Sequence, residues 1–159
     1  MRKVLKLKGS NTEARSYALK LLSYRSRSRK EMLERLIRKG FNEEQTNSAI
    51  LFLEEAGLIK DETLAEELFS YALERKNLGR RGIEFFLLKR GIGKELISKT
   101  LSVHTKDMEM DAAQRIIDKK LRILRRYPVD VVRRRLSGML QRRGVRADVI
   151  NKTIQSLDL

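Results

Sequence analysis

One short pattern recurs three times in this chain and restricts what it can fold into. Leu36-Ile37-Arg38-Lys39-Gly40-Phe41, Leu87-Leu88-Lys89-Arg90-Gly91-Ile92 and Leu140-Gln141-Arg142-Arg143-Gly144-Val145 each end an apolar-periodic run with two basic residues, a glycine and an apolar residue. The glycines lie 51 and 53 residues apart, and ten residues beyond each stands an aliphatic side chain: Ile50, Leu101 and Ile154. A glycine here can take the left-handed conformation that stops a helix, and the apolar residue after it packs back on the last turn. Recurrence at a fixed spacing marks a repeated unit of helix, helix, glycine stop and helix. Single units of this size bury little on their own, whereas stacked units share an apolar seam.

The apolar period between the stops is helical throughout. Ala14, Tyr17, Ala18, Leu21 and Leu22 fall on one helix face. Ser28 stands three before Glu31, the spacing of a capping box, ahead of a face of Met32, Leu33, Leu36 and Ile37. Asn42 opens a helix with Ala49, Ile50, Leu53 and Ala56 inside, and Gly57-Leu58 repeats the stop. Asp61 is expected to cap a helix bearing Leu64, Ala65, Leu68, Phe69 and Ala72. Helices follow through Ile83, Phe86 and Leu87, through Ile97, Thr100 and Leu101, and from Asp107 through Ala112, Ala113, Ile116, Ile117, Leu121 and Leu124. Pro128 breaks the last of these and suits the first position of a new helix with Val132, Leu136, Met139 and Leu140. A final helix carries Val149, Ile150, Thr153, Ile154 and Leu157. The expectation is an all-α protein of nine helices in three tandem three-helix repeats. The boundaries read as a basic N-terminal arm over 1–11 and repeats over 12–57, 58–104 and 105–159. Val4, Leu5 and Leu7 leave residues 1–9 open between a short strand and a disordered basic arm.

The chemistry left open by composition is narrow. The chain has no Cys, which excludes disulfides and thiolate metal sites, and its composition suits a reducing cytoplasm. Its basic N-terminus lacks the apolar run of a signal peptide, and no segment has the length of an apolar membrane span. His104, the single histidine, is expected at the surface or as a cap. Gly91-Ile92-Gly93-Lys94 lacks the upstream glycine, the following Ser or Thr and the preceding strand of a phosphate loop. The glutamate pairs at 43/44, 54/55 and 66/67 read as solvated first turns and faces. No cofactor, metal or catalytic constellation is expected.

Charge points to binding instead. The net charge is +15, and residues 1–30 carry 10 basic and 1 acidic side chain while residues 107–159 carry 13 and 7. Such a field suits a polyanionic partner. The candidate contact residues are Arg25, Arg27, Arg29, Lys30, Arg80, Arg81, Arg125, Arg126, Arg133, Arg134 and Arg142, since arginine grips phosphate or carboxylate in a bidentate fork. Arg25, Arg27 and Arg29 read as lying in a loop before a cap, and Arg133–Arg135 as lying mid-helix. Exposed aromatic platforms are few (Tyr24, Tyr71, Tyr127), with the phenylalanines assigned mostly to the core, so contact with nucleic acid would be mainly electrostatic. Residues 30–59 also have the outline of a winged helix-turn-helix, but a wing needs two strands where 61–75 has helical period.

The run from Tyr17 to Leu33, with Leu36 and Lys39-Gly40-Phe41, resembles the opening signature of RecX proteins. Gly57-Leu58-Ile59, Asp61-Glu62, Ala65, Gly79, Ile83 and Arg90-Gly91-Ile92 are similar to that family's second block, and the likeness spans roughly residues 14–157. Leu64 and Ala72 depart from it, standing where the family usually has an aromatic and a basic residue. The resemblance implies an elongated, curved, right-handed or similar helical array, and a monomeric regulator that lies in the groove of the RecA–DNA filament and modulates it, usually by inhibition, in recombination, DNA repair and the SOS response. A stand-alone, sequence-nonspecific nucleic-acid-binding protein is the alternative, resting on charge alone.

Overall fold

The computed structural model of the chain describes residues 10–157, and the basic arm expected at the start of the chain lies, over 1–9, outside the described residues. The described residues are all-helical. The helices are α1 (Asn11–Tyr24), α2 (Arg29–Lys39), α3 (Glu43–Glu55), α4 (Asp61–Glu74), α5 (Arg80–Lys89), α6 (Lys94–Leu101), α7 (Lys106–Leu124), α8 (Val129–Arg142) and α9 (Ala147–Gln155). No strand occurs among them, which removes the winged reading: α4 occupies the place of the wing. None of the helices is long and apolar enough to cross a membrane.

The described residues divide into two compact units, one up to residue 64 together with 90–92 and one of 65–89 together with the residues from 93 onward. In the first unit α1, α2 and α3 pack against one another. Their shared core is Ala14, Ala18, Leu21, Met32, Leu36, Phe41, Ala49, Ile50, Leu53 and Ile59. In the second, α7, α8 and α9 pack mutually around Ile117, Val132, Leu136, Leu140, Val149 and their neighbours, and α5 packs on α6. Full burial of each such aliphatic side chain contributes about 1.5–3 kcal/mol relative to exposure.

Local signals set most helix ends. Ser28 accepts from Glu31 N at 3.1 Å while Glu31 Oε2 accepts from Ser28 N at 3.2 Å, closing the expected capping box, and Asn42 and Gln45 form another. Gly40, Gly57, Gly91 and Gly144 all take positive φ. Several details differ from the sequence reading. Ile37 and Leu58 are exposed; Ile59 rather than Leu58 packs back after the second stop. Pro128 is the N-cap of α8 rather than its first residue, where its extended ψ of 148° breaks the chain's helical course. Asp61 does not cap its own helix. It is the first residue of α4, and its Oδ1 accepts the backbone N–H of Arg29 at 2.8 Å, answering an orphan donor at the start of α2.

The glycine stops also make tertiary contacts. Within the first unit, Gly91 lies against the start of α2, where a Cβ would sit 2.5 Å from Ser28 Oγ. Within the second, Gly144 meets Gly79 and Gly82 at the start of α5. Gly79 N donates to Arg143 O at 2.9 Å and Arg81 N donates to Gly144 O at 3.1 Å. The Gly144 stop thus satisfies the N-terminus of another helix by backbone contact, which only a missing side chain permits.

Candidate functional site

The eleven candidate basic residues fall in both units, four in the first and seven in the second. Their surroundings sort them into side chains tied up within the fold and side chains free to meet a partner.

In the first unit, the Arg25–Arg29 segment is built around Glu31. Arg25 Nη2 and Arg90 Nε donate to Glu31 Oε1 at 2.8 and 3.1 Å, and Arg90 Nη2 donates to Ser26 O at 2.9 Å. Burial pushes the Glu31 carboxyl up, but the hydrogen bonds from Arg25, Arg90 and the Ser28 N–H outweigh it and leave it below the usual range. Arg27 is not a free loop cation. It is 8% exposed, and its Nε donates to Leu21 O at 3.3 Å, closing the C-terminal end of α1. Burial holds its guanidinium below the ordinary value, with repulsion from Arg25 and Arg35 adding to the effect. Arg29 belongs to the first turn of α2 rather than to the loop, and pairs with Glu54 at 2.9 Å. Lys30 is exposed and has no ion pair among the described residues.

In the second unit, sequence reading missed the organising residue. Glu109 is completely buried. Its Oε1 accepts from Arg80 N at 2.9 Å and Arg146 N at 3.0 Å, and its Oε2 accepts from Arg146 Nε at 2.6 Å. It therefore answers backbone donors at the starts of both α5 and α9. Arg80, which is half-buried, also gives its Nη1 to Leu101 O at 2.8 Å and so is tied to a helix end, as Arg27 is. His104 is buried rather than at the surface, its ring edge-on to Phe69, with neither ring nitrogen hydrogen-bonded. Desolvation lowers its pKa, Glu109 opposes that, and Arg80 and Arg146 reinforce it. The apolar contact with Phe69 overrides the polar character that suggested a surface position.

Among the candidates, those without a partner lie mainly on and beside α7 and α8. Residues 119–146 hold eleven Lys or Arg against one acidic residue, Asp130. Arg125, Arg133, Arg134 and Arg142 are exposed and make no side-chain hydrogen bond or ion pair among the described residues. Arg126 and Arg135 lie over the Tyr127 ring at 5.1 and 4.2 Å, and hydrogen bonds from the two guanidiniums lower the phenol pKa. An open groove of about 220 Å³ beside Arg133 is lined by Ser137, Asn151 and Gln155. Arg81 is exposed on α5. The arrangement offers several unpaired cations and no reacting group. Among the described residues no cluster of His, Cys, Asp or Glu could hold a metal.

Comparison with known proteins supplies a second line. Residues 14–53 match the family model described as RecX, first three-helix domain, and residues 107–154 match RecX, third three-helix domain. The regulatory protein RecX of Chlorobium limicola is 33% identical over 151 residues, covering 93% of this chain and 91% of that protein. The one from Mycolicibacterium smegmatis is 34% identical over 136 residues, covering 83% and 72%. Among solved structures, RecX from Lactobacillus salivarius superposes with a TM-score of 0.79 at 24% identity, covering 93% of this chain and 96% of that one, which bears on the fold alone. Helical architecture, two matched three-helix domains and identity above 30% along nearly the whole chain place this protein in the RecX family of regulatory proteins.

Proposed function

We propose that this chain is a monomeric, cytoplasmic modulator of the RecA–DNA filament that acts by binding, without catalysis, and inhibits the filament's ATPase, recombinase and coprotease activities, thereby tempering recombination and the SOS response. Membership of the regulatory family over nearly its whole length carries this reading. The repeat boundaries 12–57, 58–104 and 105–159 belong to it, as units that present successive contacts. The cationic stretch on α7 and α8 supports it physically: eleven basic residues against one acidic create a field for a phosphate backbone. Arg125, Arg133, Arg134 and Arg142 are the phosphate-facing residues on this reading, with Lys30, Arg81 and Arg126 as further contacts. Arg25, Arg27, Arg29 and Arg80 contribute by fixing helix ends. DNA-dependent ATP hydrolysis by RecA, measured with and without the protein, tests the proposal. Progressive inhibition is expected; an unchanged rate at several-fold excess refutes it.

The same stretch of basic residues favours one other reading, a stand-alone DNA-binding protein. That reading requires tight binding to bare duplex, steeply weakened by salt, in the absence of any effect on RecA.

A further inference from the structure

A second exposed surface has a different chemistry from the arginine-rich helices. On α5, Ile83 and Leu87 are fully buried. Phe85 lies two residues from each, so helical geometry turns it to the opposite side, and it is 60% exposed. Leu88 and Lys89 follow at i+3 and i+4 and share its face. Phe86, one residue on, meets the half-exposed Tyr71 of α4, the ring centroids 6.3 Å apart and tilted by 36°. Two lysines lie over these rings. Lys76 Nζ sits 5.6 Å from the Tyr71 centroid and 5.4 Å from that of Phe86, and Lys89 Nζ sits 4.9 Å from that of Phe85. Neither lysine has a carboxylate partner among the described residues.

Exposed aromatic side chains cost solvation energy and gain it back on burial, and such side chains dominate the energetics of protein interfaces. The charges around these decide what covers them. Glu84 adjoins Phe85, and Glu67 and Glu74 stand one turn either side of Tyr71. The three carboxylates oppose a phosphate backbone, which carries a charge at every residue, whereas a protein segment places its few carboxylates against the lysines alone. The lysines moreover occupy one face of each ring, leaving a base at most the other to stack on. A protein segment meets no such obstacle: its apolar side chains cover Phe85, Leu88 and Tyr71, and its carboxylates pair with Lys76 and Lys89.

We infer that Tyr71, Phe85, Leu88, Lys76 and Lys89 form a protein-docking surface for an apolar segment carrying acidic side chains, separate in function from the phosphate-facing arginines. This deepens the proposed function and rests on it: the segment belongs to the recombinase subunits of the filament. The lysines supply orientation and rate of encounter, and the rings supply affinity.

The test compares full-length protein with Phe85→Asp, Lys89→Glu and Arg133→Gln/Arg134→Gln variants. Each is titrated against RecA filaments on poly(dT) and against bare poly(dT), with circular dichroism confirming the fold. Phe85→Asp should weaken filament binding about tenfold or more and leave bare poly(dT) binding unchanged. Lys89→Glu should do the same to a smaller extent. The arginine variant should weaken binding to bare poly(dT). Equal filament binding by Phe85→Asp and the unsubstituted protein overturns the inference. So does parallel loss of poly(dT) binding, which makes the surface a nucleic-acid platform. If Phe85→Asp instead converts a dimer to a monomer with filament binding intact, the occupant is a second copy and the inference also falls. Failure of the unsubstituted protein to bind filaments refutes the proposed function itself, before any variant is compared.

Discussion

Replacing Gly82 with alanine should destabilise this protein, which is the reverse of what helix propensity dictates. Gly82 is the third residue of α5, and its φ is not positive. At an ordinary helical site, Gly→Ala gains about 0.5–1 kcal/mol. Here the added Cβ would overlap Arg143 O and sit 3.0 Å from Arg143 C and 3.2 Å from Leu78 Cβ. Relief requires the stop around Gly144 to move off the start of α5. That movement strains or breaks two hydrogen bonds, Gly79 N to Arg143 O and Arg81 N to Gly144 O. Two such bonds are worth roughly 1–3 kcal/mol together, and overpacking adds about 1–3 kcal/mol. The propensity gain offsets at most half, so the net loss is about 1–5 kcal/mol. Gly144→Ala suffers the same overlap, with Gly82 Cα 2.6 Å away, plus about 1–2 kcal/mol for φ of +73°. Gly40→Ala is the internal control: φ is +105° but nothing lies within 4 Å of the new Cβ, so only the backbone cost of about 1–2 kcal/mol applies. Urea unfolding followed by far-ultraviolet circular dichroism gives all three values. A stabilised Gly82→Ala, or equal losses for Gly144→Ala and Gly40→Ala, would refute the view that the stops act as tertiary contacts.

Other expectations follow from the buried polar groups of the second unit. Glu109→Ala strips the partner from two backbone N–H groups and from Arg146, and should cost roughly 3–5 kcal/mol in the same unfolding assay. Glu109→Gln keeps an acceptor oxygen and should cost less, and a destabilisation equal to that of Glu109→Ala would sink this account. His104 has a folded-state pKa below its unfolded value of 6.5, so the unfolded chain takes up the proton first. Its contribution is complete above about pH 6.5 and is lost as pH falls through that value toward the lower folded one. The urea midpoint should drop on acidification below this point, and His104→Gln should flatten the drop; an undiminished drop in the variant argues against His104 as its source.

Much of the fold is legible in the sequence because its determinants are local. The capping box at Ser28 and Glu31 and the stops at Gly40, Gly91 and Gly144 are set by near neighbours, readable from spacing alone. Phe85 is legible too, since two buried residues at 83 and 87 force the residue between them outward, although apolar character alone assigns the phenylalanines mostly to the core. Illegible are the groups whose role depends on residues far along the chain. Asp61 looks like a cap for the helix it begins, but its partner is 32 residues earlier. Glu109 looks like any first-turn carboxylate until Arg80 and Arg146, 29 and 37 residues away, are brought to it.

The arginines show why composition alone does not say which cations are already paired within the fold. Formal charge counts Arg27, Arg80 and Arg134 alike, yet the first two already donate to helix-end carbonyls, Leu21 O and Leu101 O. A guanidinium engaged in this way gives a partner less than its full charge, because binding must first replace a hydrogen bond whose rupture leaves a carbonyl unsatisfied. Arg134 gives up only water. Two equally basic ends of a chain can therefore differ in what they offer. The first unit uses its loop arginines to hold Glu31 and to close α1, while Arg125, Arg133, Arg134 and Arg142, on and beside α7 and α8, have no such partner among the described residues. The local ratio of carboxylates and helix ends to arginines, more than net charge, predicts where a polyanion settles. Neutralising Arg133 and Arg134 should lower the slope of log affinity against log salt by nearly one for each phosphate that is no longer neutralised, whereas neutralising Arg27 should show up first as reduced stability.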